Sequence, residues 1–271
     1  MRNGRKPTPD EGLTPAARQA TKPLMSLPLA NKIALVTGAS RGIGRAAALA
    51  ISSAGAHVVA VARTQGGLED LDDAIKAATG ESATLVPMDI TEGDGLDQLG
   101  LALHQRFGRL DILVHAAGIL GPMTPVAHIE PKHWDRVVAV NLTASYRLIR
   151  TTEPLLRASE AGRAIFLTTG RVARPKAFWG PYGITKAGLE HMVRTWADEL
   201  EQTKVRAVLL DPGVMRTAMR AEAMPGEDPL TLPEPSEIGP LIVKLAQADL
   251  GLPGANVVFD RSAPDAMPAS A

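Results

Sequence analysis

Tyr182 and Lys186 stand four residues apart in Y-G-I-T-K, inside a stretch of helical character. Residues i and i+4 share one helix face. An ammonium there favours the phenolate and is expected to lower the tyrosine pKa from about 10 toward working pH. A tyrosine so tuned can pass a proton to or from a carbinol oxygen. Far upstream lies a second feature. Gly38, Gly42 and Gly44 are spaced G-x-x-x-G-x-G, after the apolar run Ile33, Ala34, Leu35, Val36 and before the alanine-rich stretch Arg45 to Ser52. A strand, a glycine turn and a helix start together build an anion site. Backbone N–H groups and the positive helix end converge there, and missing side chains let a pyrophosphate approach.

These residues need a scaffold, and its elements are legible in order. Short apolar runs predict strands at Ile33–Val36, His57–Ala62, Thr84–Met88, Leu110–His115, Ala164–Thr168, Val205–Leu210 and Asn256–Phe259. Helical spacing predicts helices at Leu68–Ala78, Leu96–Phe107, His133–Arg157, Tyr182–Gln202 and Ser236–Ala248. Pro154 is expected to bend or end the third of these, and Ser236 to cap the last. Residues 221–235, rich in Pro and acid, read as a loop. Alternating strands and helices predict an α/β fold: a doubly wound parallel sheet of about seven strands, helices on both faces, in one domain. Its ligand belongs at the carboxyl ends of the strands.

The chain has 271 residues, 45% hydrophobic, with formal net charge zero. That supports one large domain, expected at 29–260. Without a basic excess, nucleic acid and anionic membranes are not expected partners. With no cysteine, disulfide and thiolate chemistry are excluded. Residues 1–28 are rich in Pro and charge and predict a disordered tail; 261–271 predict a flexible one. No run approaches the ~18 apolar residues of a membrane helix, and no secretory signal core is present. A cytoplasmic location is expected.

Thr37-Gly38-x-x-x-Gly42-x-Gly44 with Tyr182-x-x-x-Lys186 resembles the classical short-chain dehydrogenase/reductase family, over about residues 29–260. The segment from Arg216 to Pro229 resembles a bacterial subgroup of its oxidoreductases. The resemblance implies that Tyr182 is the proton donor and that Lys186 also bonds the nicotinamide ribose. It implies a hydroxyl donor at Thr169, a position where the family usually has serine, with Thr168 as the rival. It implies that Asn141 holds a proton-relay water. It implies a cofactor contacting Gly38, Ser40, Arg41, Gly42, Ile43, Gly44, Ala117 and Gly118, with Asp89 beside the adenine. Pro212, Gly213 and Thr217 match the segment at the nicotinamide carboxamide. His115-Ala116-Ala117-Gly118 replaces the family's Asn-Asn-Ala-Gly, so Ala116 cannot make the strand tie of the second asparagine. His115 reads as a packed strand-end residue. The histidines show no paired metal spacing, so no metal is expected.

Cofactor choice follows from charge. NAD sites place an acid on the ribose 2′-hydroxyl about 20 residues on. Here the second strand ends Ala62-Arg63-Thr64, and Arg41 lies in the glycine turn. Two guanidinium groups suit a 2′-phosphate, so NADP is expected over NAD. The expected activity is hydride transfer between nicotinamide and a carbonyl or secondary alcohol. Reduction of 3-oxoacyl carrier-protein substrates is one alternative; a cofactor-sensing binding protein without turnover is another. The family's paired helices predict a homodimer or homotetramer, supported by apolar Leu189, Met192, Val193 and Trp196.

Overall fold

The computed structural model describes residue 1, residues 27–247 and residues 254–262. The expected N-terminal tail lies outside the described residues except at its two ends, and so does the C-terminal tail beyond Ser262.

The chain alternates strand and helix: β1 (Ile33–Thr37), α1 (Gly42–Ser53), β2 (His57–Ala62), α2 (Gln65–Thr79), β3 (Thr84–Pro87), α3 (Gly93–Phe107) and β4 (Ile112–His115). There follow α4 (Pro131–Val138), α5 (Ala144–Arg157), β5 (Arg163–Leu167), α6 (Gly180–Glu199) and β6 (Arg206–Asp211). Last come α7 (Ala218–Ala223), α8 (Gly239–Leu245) and β7 (Asn256–Val258). All seven strands are parallel, in the order β3-β2-β1-β4-β5-β6-β7. The order reverses beside β1, so a crevice opens where the turns after β1 and β4 diverge.

The central strands β1, β2, β4, β5 and β6 are buried on both faces because they carry apolar residues at consecutive positions, not only alternate ones. Ala34 and Val36 of β1 point into one core with Ile51, Leu71, Leu241 and Leu245. Leu35, between them, points into the other with Leu96, Leu148, Leu189 and Trp196. The two cores hold the strand ends rigid, and the site is built on those ends.

Four expectations are corrected. The helix predicted over His133–Arg157 is two helices joined by a π turn, Ala139–Thr143. Pro154 does not end it; α5 continues to Arg157. The carbonyl that Pro154 cannot bond belongs to Arg150, an exposed residue whose carbonyl water can reach. Ser236 is not a cap. It lies inside a 3₁₀ turn, Pro235–Ile238, that Glu234 and Glu237 cap reciprocally, with Glu234 N donating to Glu237 Oε1 at 2.9 Å. The stretch read as a loop, 221–235, takes in the last residues of α7, which the Thr217 hydroxyl caps on Arg220 N at 3.2 Å, and a 3₁₀ turn, Pro229–Thr231.

Candidate active site

A cleft of about 1060 Å³ opens at the carboxyl ends of the strands. Gly38, Ser40, Arg41, Gly42, Ile43 and Gly44 line it from the turn after β1. Arg63, Asp89, Ala117 and Gly118 line it from the ends of β2, β3 and β4; Tyr182 and Lys186 from α6; Pro212 and Thr217 from the segment after β6. Gly213 does not line it; its N–H is spent on the Asp211 carboxylate at 2.9 Å.

The glycine turn is bare for a physical reason. Gly38 has φ 68°, and a Cβ there would lie 2.8 Å from the Ala117 nitrogen. At Gly44 a Cβ would fall 2.2 Å from the Gly38 carbonyl oxygen. Neither position accepts a side chain. Arg41, which precedes α1, makes no side-chain cap, so the first N–H groups of that helix stay available for an anion. Arg41 and Arg63 are exposed, and Arg45, one turn beyond Arg41, lines the same cleft. None of the three forms an ion pair among the described residues. These residues fit a dinucleotide: bare backbone for the pyrophosphate and unengaged guanidinium groups for a further phosphate.

Asp89 is engaged. Its Oδ2 accepts from Arg136 Nη2 at 2.8 Å, and its Oδ1 accepts from Thr91 N at 2.9 Å and Thr91 Oγ1 at 2.8 Å. Burial alone would raise its pKa, but these bonds outweigh it and hold the carboxyl at about 2. The acid beside the cleft is a fixed anion braced from α4.

Tyr182 and Lys186 are both buried on α6. Their expected relationship is corrected. Lys186 Nζ lies 6.0 Å from the tyrosine ring centre and donates to the Leu167 carbonyl at 2.7 Å. Burial, then the Asp211 charge, pushes the phenol up to about 12, against a hydrogen bond from Thr169. Burial lowers Lys186 to about 8, opposed by Glu190 one turn on. The phenol is therefore protonated at neutral pH: an acid in waiting, not a phenolate.

The two candidate threonines part company. Thr168 Oγ1 donates to Glu190 Oε1 at 2.7 Å, a buried bond, although the residue also lines the cleft. Thr169 is the hydroxyl beside Tyr182. Asn141 sits in the π turn, a distortion frequent at functional sites. Its side chain accepts from Ile119 N and donates to Ile119 O, both at 2.9 Å, and donates to the Thr185 hydroxyl at 3.2 Å. It clamps the loop after Gly118 against α6.

Ala116 makes no strand tie, but His115 supplies one. Its Nδ1 lies 2.8 Å from the Thr37 hydroxyl and its Nε2 lies 2.8 Å from the Ser145 hydroxyl. It is a packed strand-end residue, fully buried, as its position suggests. Sequence reasoning passed over Arg45, Arg136, Glu190 and Asp211. Asp211 was legible only as a chain break, yet its carboxylate stands behind Tyr182 and Thr169, bonded to Gly213 N and Gly170 N. Pairings this remote along the chain leave no local signal.

Leu189, Val193 and Trp196 are core residues of one chain and give no argument for a partner. The exposed large apolar residues of α5 and α6 are Tyr146 and Ile184. Among the described residues, no helix is long and apolar enough to cross a membrane, and no three His, Asp or Glu side chains gather as metal ligands.

Comparison with known proteins agrees with this geometry. A family model described as short chain dehydrogenase matches residues 32–228. The uncharacterized oxidoreductase YciK of Escherichia coli K12 is 36% identical over 223 residues, 82% of this chain and 88% of its own. Benzil reductase ((S)-benzoin forming) of Saccharomyces cerevisiae is 33% identical over 198 residues, 70% of this chain and 74% of its own. Among solved structures, a chain from Escherichia coli CFT073 complexed with NADPH superposes with a TM-score of 0.82 at 34% identity. The match covers 86% of this chain and 98% of that one.

Proposed function

The chain belongs to the short chain dehydrogenase family, whose members act on CH–OH and C=O groups with a nicotinamide cofactor, and from that premise we propose an NADPH-dependent carbonyl reductase. The observation that carries the reading is the buried Tyr182, which lines the same cleft as the bare glycine turn, with Lys186 one helix turn on and the Thr169 hydroxyl at its side.

Gly38, Ser40, Gly42, Ile43 and Gly44 would hold the pyrophosphate by backbone, with Asp89 toward the adenine and Lys186 toward the ribose. Ala117 and Gly118 would flank the cofactor, and Pro212 and Thr217 would serve its carboxamide end. Arg41 and Arg63 would meet the 2′-phosphate. When bound, NADPH supplies the hydride. Thr169 donates a hydrogen bond to the substrate carbonyl oxygen and orients it. Tyr182 gives its proton to that oxygen as the alcohol forms, then recovers one from water. Lys186, fixed on the Leu167 carbonyl, holds positive charge beneath the site and stabilises the transient phenolate. Asn141 keeps the adjoining loop in place.

The test is consumption of NADPH with a panel of aldehydes and ketones, and the reverse assay with NADP⁺ and alcohols. Turnover of at least one carbonyl supports the reading. NADPH binding without any turnover favours the cofactor-sensing alternative. We also propose a cytoplasmic homodimer or homotetramer; a monomeric mass by light scattering at micromolar concentration would count against the assembly.

A further inference from the structure

The segment from Thr168 to Trp179, between β5 and α6, carries Arg171, Arg174 and Lys176 and no acid. Arg174 and Lys176 are exposed, whereas Arg171 is half-buried. The Arg171 guanidinium lies over the Trp179 indole, 5.6 Å from its ring centre. That indole meets the Tyr182 ring edge-on at 6.0 Å. The cation is thus held one aromatic ring away from the proton donor.

Its surroundings leave it unspent. Attraction of a guanidinium to an indole face does not itself consume the N–H donors. Among the described residues the Arg171 side chain makes no hydrogen bond and no ion pair. Asp211 is near enough to feel its charge, but that carboxylate is already bonded to Gly213 N and Gly170 N.

The platform is also deliberately held. Trp179 bridges to Thr124 on the facing loop. Phe178, just before it, has φ 73°, a left-handed conformation that an aromatic residue adopts only when its surroundings impose it. Strain held next to a proton donor points to a built recognition surface.

We propose that Arg171 is a substrate-binding residue that recognises a carboxylate, and that the substrate is accordingly an oxoacid, or the matching hydroxy acid in the reverse direction. The proposal rests on the carbonyl-reduction reading of the same site. A guanidinium fork matches a carboxylate in two parallel bonds, which a neutral ketone cannot offer. Arg174 and Lys176 add positive potential at the approach.

The experiment compares acids with their neutral esters. Using NADPH and the full chain, kcat/KM is measured for 2-oxobutanoate, 3-oxobutanoate and 4-oxopentanoate, each against its methyl ester. At least one acid is expected to exceed its ester by about tenfold or more, the scale of a charge-assisted contact. Arg171→Ala should bring that ratio close to one, and Arg171→Lys should keep part of it. Calorimetric binding of the same pairs to the NADP⁺-loaded enzyme reads the preference without turnover. If no carbonyl is turned over, the reductase reading fails, while calorimetry still decides the role of Arg171. Equal acid and ester in both measurements overturns the proposal, as does a preference undiminished in Arg171→Ala. A preference removed by Arg174→Ala with Lys176→Ala, but not by Arg171→Ala, also overturns it in favour of an exposed docking face for an acidic carrier protein.

Discussion

His115 Nδ1 and the Thr37 hydroxyl stand 2.8 Å apart, joining β4 to β1 one residue before the glycine turn. The network fixes the proton positions. Ser145 Oγ donates to the Asn141 carbonyl at 2.9 Å, so it must accept from His115 Nε2. That assigns the neutral Nε2–H tautomer, with Nδ1 accepting from Thr37. Burial, aided by the Lys186 charge, lowers His115 to about 3. One imidazole therefore ties the cofactor turn to the start of α5, beside the π turn that carries Asn141.

This tie predicts acid sensitivity. Between about pH 6.5 and 3 the unfolded chain protonates His115 and the folded chain does not. The unfolded state then binds more protons, so stability falls as pH falls, by up to about 1.4 kcal/mol per pH unit. In His115→Asn that contribution is absent. Urea unfolding of both proteins at pH 7, 5.5 and 4.5 should show wild type losing more stability than the variant. Parallel losses would show that His115 titrates normally.

The two threonines should separate by readout. Thr169→Ala removes the donor to the carbonyl oxygen and should cost on the order of 10² in turnover, while Thr169→Ser keeps most of it. Thr168→Val removes one of the two partners of the buried Glu190 carboxylate, leaving Arg194 Nη2 at 3.0 Å on the other oxygen, and should cost about 1–3 kcal/mol in stability. Steady-state kinetics alongside thermal melts decide the matter. A turnover loss confined to Thr168→Val would reverse the assignment.

The Asp211 charge should be visible in a pH profile. It raises the Tyr182 pKa, so Asp211→Asn should bring the phenol's own titration to lower pH, read as the ultraviolet absorbance change that Tyr182→Phe removes. An unmoved titration would mean that Asp211 does not act on the phenol.

Cofactor preference should follow the exposed arginines. Charge-assisted bonds from Arg41 and Arg63 to a 2′-phosphate, discounted for solvent, contribute about 1.5–3 kcal/mol for the pair. That is roughly a 10- to 100-fold preference for NADPH over NADH, shrinking as salt rises. Arg63→Asp should reverse it. A wild type that prefers NADH, measured as kcat/KM for both cofactors, would remove the charge argument.

What the sequence disclosed was local. The apolar runs disclosed the strands, because the central strands of a parallel sheet covered on both faces need apolar residues at consecutive positions. Gly38, Gly42 and Gly44 were legible because a strand and a helix bracket them, and Tyr182 and Lys186 because four residues make a helix turn. What stayed hidden depends on register or distance. The π turn at Asn141 has no compositional mark. Thr168 and Thr169 look alike until the strand end turns one toward Glu190 and the other toward Tyr182. Arg136 braces Asp89, and His115 binds Thr37, across distances along the chain that no pattern spans. The direction of the tyrosine shift was misread because spacing shows that Lys186 shares a face with Tyr182. It does not show the burial of the phenol or the Asp211 charge beside it, which set the direction.

The central claim is that Tyr182 donates the proton in an NADPH-dependent reduction. Tyr182→Phe keeps the ring and deletes the acid. With a carbonyl that the wild type reduces, turnover should fall by ~10² to 10⁴, while NADPH binds as before by fluorescence titration. Turnover near that of wild type, with NADPH binding intact, would contradict the account.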